Sequence, residues 1–131
     1  MQKIETGKVE LTLSRDPRLL AGVAGAVNHF ADTAGMDEST RASLVAAIED
    51  ACNEAFLQLP QANASIAMSL ESTAGSVEAV LIFRGAAART ERAEKIQHAL
   101  RDRLDRVSRE SESGIIRLIL VKNAAAPRRK R

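Results

Sequence analysis

The residues best placed for chemistry lie in one stretch, Ala47-Ile48-Glu49-Asp50-Ala51-Cys52-Asn53-Glu54-Ala55-Phe56-Leu57-Gln58-Leu59. Read as a helix at about 100° per residue, its apolar set centres between Ile48 and Ala55. Asp50, Glu54 and Gln58 then recur at i, i+4 and i+8 on one flank of that stripe, while Glu49 and Asn53 lie nearly opposite the core. Two carboxylates and an amide in one line do chemistry only where they meet a ligand. Such a line either faces solvent or lines a pocket between the helix and the sheet edge, and spacing alone leaves both open.

The chain has few other reactive groups. Cys52, the single cysteine, lies on the apolar stripe and reads as a small core residue. It cannot form an internal disulfide, and a cysteine metal cluster is excluded. His29 stands beside Phe30, and His98 lies in a highly charged segment. Neither has a candidate nucleophile near it in sequence, so both read as surface or boundary residues, and two histidines argue against a multi-histidine metal site. The dinucleotide pattern G-x-G-x-x-G, the P-loop pattern G-x-x-x-x-G-K-[ST] and the nucleophile elbow G-x-S-x-G are all absent. Gly22 and Gly25 fall inside a helical pattern, where close packing is the expected reason for them.

Seven elements are predicted to position these residues. Residues 3–14 alternate, and Val9-Glu10-Leu11-Thr12-Leu13 has the period of two of a half-buried strand, with Ile4 preceding it. Asp16-Pro17 marks a helix start, with Asp as cap and Pro in the first turn; the helix runs to about Ala34, where Gly35 ends it. Asp37 opens the second helix, whose apolar set Leu44, Ala47, Ile48, Ala51, Cys52, Ala55, Phe56 and Leu59 holds its period for four turns until Pro60. Ala64 to Leu70 and Val77 to Phe83 read as a hairpin around Thr73-Ala74-Gly75-Ser76, with the second strand apolar enough to be central. Residues 89–110 carry Ala93, Ile96, Ala99, Leu100, Leu104 and Val107 as the narrow stripe of a third helix. Ser111 to Gly114 is a loop, and Ile115 to Val121 an interior strand. The simplest packing is an α/β (α+β) two-layer sandwich: a mixed, mainly antiparallel sheet with three helices on one face.

The chain has 131 residues, 45% hydrophobic and 27% charged, which suits one globular domain and excludes a mostly disordered chain. Residues 1–122 are expected to form that domain, and 123–131 a basic, disordered tail. No run approaches the roughly 18–20 apolar residues of a membrane span. The N-terminus lacks the form of a secretory signal. With the lone cysteine, this makes the cytoplasm the expected location and a membrane partner unexpected. The formal net charge is +2, from 19 basic and 17 acidic residues. The last ten residues hold five of the basic ones and no acid, so the remainder has 14 basic against 17 acidic residues. The basic character belongs to the tail rather than to a face. With three Phe, no Tyr and no Trp, the chain has almost nothing on which to stack bases, and direct nucleic-acid binding is not expected.

From about Leu19 to Val121 the chain resembles the ATP-binding domain of bacterial anti-sigma factors and serine protein kinases, within the histidine-kinase-like ATPase superfamily. The closest correspondence runs from Asp37-Glu38 to Phe56 and ends in Asp50-Ala51-Cys52-Asn53-Glu54-Ala55. Members read Glu-Ala-Cys-Thr-Asn-Ala there, with His three residues on. The resemblance implies a histidine-kinase-like ATPase fold. It places the family's general base on Asp50, its magnesium-binding Asn on Glu54 and its His on Gln58. In an active member, Asp50 would be catalytic, Glu54 the metal ligand, and Glu54, Gln58 and Gly85 the nucleotide contacts. The motif that selects adenine, Asp-x-Gly-x-Gly, reads Phe83-Arg84-Gly85-Ala86-Ala87, in which only Gly85 survives. Phe cannot accept the adenine hydrogen bond. Residues 86–113 hold no glycine where a glycine-rich lid should cradle the phosphates.

The expectation that follows is a non-enzymatic regulatory domain resembling an anti-sigma factor, with a degenerate ATP site and no cofactor. Its partner would be a sigma factor or an anti-sigma-factor antagonist, and a homodimer is a further option. The alternative is an ATP- and Mg²⁺-dependent serine protein kinase.

Overall fold

Strand β1 (Gly7–Leu13) leads into α1 (Pro17–Thr33) and α2 (Glu38–Gln58), followed by β2 (Ile66–Thr73), β3 (Ser76–Arg84), α3 (Glu91–Arg101), β4 (Arg106–Glu112) and β5 (Ile115–Asn123). The computed structural model describes residues 7–14, 16–59, 64–73, 75–85 and 91–124. Ile4, Pro60, Ala74 and the Arg128–Arg131 run lie outside the described residues. Asn123, expected in the tail, closes β5, and the Ala124 N–H donates to the Gly75 carbonyl at 2.7 Å.

The helix ends follow their sequence signals. Asp16 caps α1 by accepting from the Arg18 N–H at 2.9 Å, with proline in the first turn. At the other end, Gly35 adopts φ +93°, its N–H donates to the Asp32 carbonyl, and the Met36 N–H reaches back to the Ala31 carbonyl. This is the paired-bond stop that glycine permits. Asp37 then caps α2 through the Thr40 N–H at 2.8 Å. That bond holds the Asp37 carboxyl below its ordinary range. Leu59 leaves α2 in an extended conformation, which the following proline requires.

The sheet has the order β1-β2-β3-β5-β4, with every pairing antiparallel. One face is the core. Leu13, Ile66, Met68, Leu70, Val77, Ala79, Leu81, Phe83, Ile116, Leu120 and Val107 point into it. On that face α1 packs on β1, β2 and β3, α2 on β3, and α3 on β4. The architecture is a two-layer α/β sandwich. The eight apolar residues expected to line α2 are all buried. Among the described residues, no helix is long and apolar enough to cross a membrane.

Three expectations need correction. The predicted helix over 89–110 stops at Arg101, and its second half is β4. Ile96 and Leu100 do pack inward, Ala99 is exposed, and Val107 belongs to a strand. The cause is the turn at Ser113-Gly114, where both residues take positive φ (55° and 79°) and set Glu112 opposite Ile115. Consecutive positive φ values form the tight hairpin turn whose twist matches paired strands. The sheet is consequently antiparallel rather than mixed. Chain entering β5 directly from α3 would run parallel to β3; β4 takes that direction instead, and the hairpin inserts β5 between them with its direction reversed. Finally, Gly22 and Gly25 are exposed, and a Cβ on either would meet nothing within 4 Å, so close packing is not their reason.

Candidate functional site

The polar flank of α2 faces the α3–β4 side of the molecule. Its three residues meet different surroundings. Asp50, near the middle of α2, is half exposed, and its carboxylate accepts from Arg103 Nη2 at 3.0 Å. Glu54, one turn on, is buried at 9% exposure. Gln58, in the last turn, is half-buried, and its Oε1 accepts a long bond from Arg109 Nη2 at 3.4 Å.

Both arginines are placed by the segment that the sequence suggested was helical. Arg103 lies in the link after α3, where its N–H donates to the Leu100 carbonyl at 3.0 Å. The link is fixed at its far end by Asp105. The Asp105 N–H donates to the Val121 carbonyl at 2.9 Å, and its carboxylate accepts from the Asn123 N–H at 2.7 Å. Arg109 sits on β4 opposite Leu118, in the alternation that turns Val107 inward, and so reaches toward α2. Read as helix, neither arginine could be assigned to this flank. Alternation through Val107, Arg109 and Ser111, ahead of a Ser-Gly turn, was the available signal.

Glu54, Gln58 and Arg109 line a small cavity together with apolar groups of β3, α3 and β5, among them Phe83, Leu100 and Ile116. Its free space is about 20 Å³, room for one or two water molecules. Gly85 lies at its rim. A Cβ there would stand 2.9 Å from Ile116 Cδ1 and 3.6 Å from Gln58 Cβ, so packing accounts for the glycine. Of the four residues expected at a nucleotide site, Glu54, Gln58 and Gly85 are thus brought together. Asp50 is set apart on the outer side with Arg103. Ala86 and Ala87 lie outside the described residues. Among the described residues, no three His, Cys, Asp or Glu side chains gather around one point.

Cys52 is buried on the core side of α2. Burial, with a smaller contribution from the Glu49 charge, pushes its thiol up to about 12, so it stays protonated and unreactive at neutral pH. His29 and His98 are exposed, and the His29 ring lies beside that of Phe30, with centroids 6.0 Å apart.

In comparisons with known proteins, no family model matches the chain, and neither does any curated protein.

Proposed function

We propose that this chain is a regulatory protein-interaction domain of the anti-sigma-factor type, acting without effective ATP binding, with a sigma factor or an anti-sigma-factor antagonist as its partner. One observation carries the reading: the polar flank of α2 is closed by the chain's own arginines. Arg103 holds Asp50, Arg109 holds Gln58, and about 20 Å³ remains beside Glu54. Small-molecule sites span roughly 300–1,000 Å³. Phe83 adds a hydrocarbon ring where the resemblance puts a carboxylate acceptor for adenine, and it is buried at 4% exposure. A magnesium nucleotide therefore does not fit the residues present, and no phosphoryl-transfer step is assigned. The two-layer fold is common to many functions, so the regulatory role rests on the resemblance together with this closed flank.

Calorimetric titration with ATP and with ADP, each with Mg²⁺, tests the nucleotide half of the reading. No heat is expected at millimolar nucleotide; micromolar, magnesium-dependent binding would overturn it and make Asp50 and Glu54 the first residues to replace. Titration with a panel of purified sigma factors and antagonists encoded alongside the chain tests the other half. One partner should bind without nucleotide in about the micromolar range or tighter, and a panel with no binder overturns the regulatory role.

A further inference from the structure

The α1–α2 layer carries a charge imbalance that the fold does not use. From Pro17 to Gln58 the chain holds six acids and two bases. Both bases are engaged: Arg18 meets the Asp16 carboxylate at 2.8 Å, and Arg41 is bonded to Asn28, Asp32 and the Met36 carbonyl. Of the acids, Asp32 has Arg41, Asp37 caps α2, Asp50 has Arg103 and Glu54 is buried. Glu38 and Glu49 form no ion pair among the described residues. The other surfaces are mixed in sign. Three bases and two acids lie on α3, and the open face of the sheet intersperses five glutamates with one lysine and three arginines.

Apolar exposure falls on the same layer. Three large apolar side chains are exposed among the described residues, and two of them are Leu19, at the start of α1, and Leu57, at the end of α2. A short turn joins the helices as antiparallel neighbours, and Arg41 bonds back to Asn28 across them. Both leucines therefore lie at one end of the pair, and Asp32 and Glu38 at the other. Over the middle, the exposed positions are Ala21, Gly22 and Gly25 on α1 and Ala42 and Ala46 on α2. A Cβ on either glycine would meet nothing within 4 Å. So low a surface lets the backbone of another helix come close.

Charge decides what covers it. A second copy would set six acids against six, and an acidic helix would meet the same repulsion. A helix with an apolar stripe and basic flanks meets leucines with its stripe and glutamates with its bases. The 17 residues of α1 span about 25 Å, so about five turns of partner helix cover the pair. We propose that the exposed face of α1 and α2 is a docking surface for a cationic amphipathic helix of a partner protein, with Leu19 and Leu57 as apolar anchors and Glu38 and Glu49 as charge contacts. The inference rests on the chain being a protein-interaction domain; its test uses neither a sigma factor nor an antagonist, so either reading can fail alone.

Amide NMR of the full chain tests it by titration with two synthetic helices of about 18 residues. One has leucines on one face and lysines on the other; its twin has glutamates for the lysines. The lysine helix should shift the amides of Leu19, Gly22, Ala46 and Leu57 with a Kd below about 1 mM in about 50 mM salt, and bind at least about fivefold more weakly in about 500 mM salt. The glutamate helix should not bind. G22L, which raises the low surface, and L19S/L57S should each weaken the lysine helix at least about tenfold. E38K/E49K should abolish the preference for lysine over glutamate. Unchanged sheet amides show that each variant is folded. Shifts confined to α3 or the open sheet face, equal binding of the two helices, or variants that bind like the wild type would overturn the proposal. So would shifts of the same amides with protein concentration alone, which would put a second copy there, or in R128E/R129E, which would put the chain's own basic end there.

Discussion

At the residue scale, Asp50 shows how a chemically suggestive position acquires a plain role. Its carboxylate is half exposed and paired to Arg103 at 3.0 Å, and exposed pairs of this kind contribute about 0–1 kcal/mol. Asp50→Ala should change stability by no more than about 1 kcal/mol. Arg41 makes an instructive contrast. It spans from α2 to α1 and the turn between them, donating to Asn28 Oδ1 at 3.1 Å, Asp32 Oδ1 at 3.4 Å and the Met36 carbonyl at 3.0 Å. Met36 is buried, so removing the guanidinium strands an acceptor. Arg41→Ala should cost about 1–3 kcal/mol. Urea denaturation of the two variants side by side checks the order; equal losses would contradict it.

At the scale of elements, the glycines divide into two kinds. Gly22 and Gly25 sit in the middle of α1 with open space around a Cβ, so nothing in the fold requires them. Replacing either with Ala should stabilise the protein by about 0.5–1 kcal/mol through helix propensity and a less flexible unfolded chain. Gly114 is the opposite case. Its φ of +79° makes the β4–β5 turn, and Gly114→Ala should cost about 1–2 kcal/mol. Thermal melts of the three single variants give the signs directly. A destabilised α1 variant would mean that the helix surface is covered in the folded protein. The same hairpin carries Arg109 to Gln58, so weakening the turn should also loosen the closed α2 flank.

For the whole molecule, the core is one layer of side chains between the sheet and the three helices, and Cys52 lies inside it at 0% exposure. Its protonated, buried thiol can react only when the core opens. Labelling by a thiol reagent at pH 7–8 should therefore be slow in the native protein and rapid in denaturant, and its rate should follow global stability across the variants above. Fast labelling of the folded chain would show that α2 detaches locally from the sheet.

What the sequence determined by itself is whatever neighbours along the chain enforce. Asp16 and Asp37 as caps, Gly35 as the helix stop and the eight-residue apolar stripe of α2 were all legible, because helical periods and caps join residues at most about five apart. Alternation likewise made β1 and β2 readable, and the more continuous apolar run Val77 to Phe83 did the same for the central β3. Tertiary structure alone decided β4, because Arg106–Glu112 holds a single apolar residue, Val107, and is a strand only by pairing with β5. It also decided the antiparallel sheet, which follows from β4. The α2 flank was legible as a line of polar residues but not as a closed one. Its closure depends on Arg103 and Arg109, respectively 53 and 51 positions from Asp50 and Gln58. No local pattern encodes contacts across such distances; packing of α3 and β4 against α2 creates them.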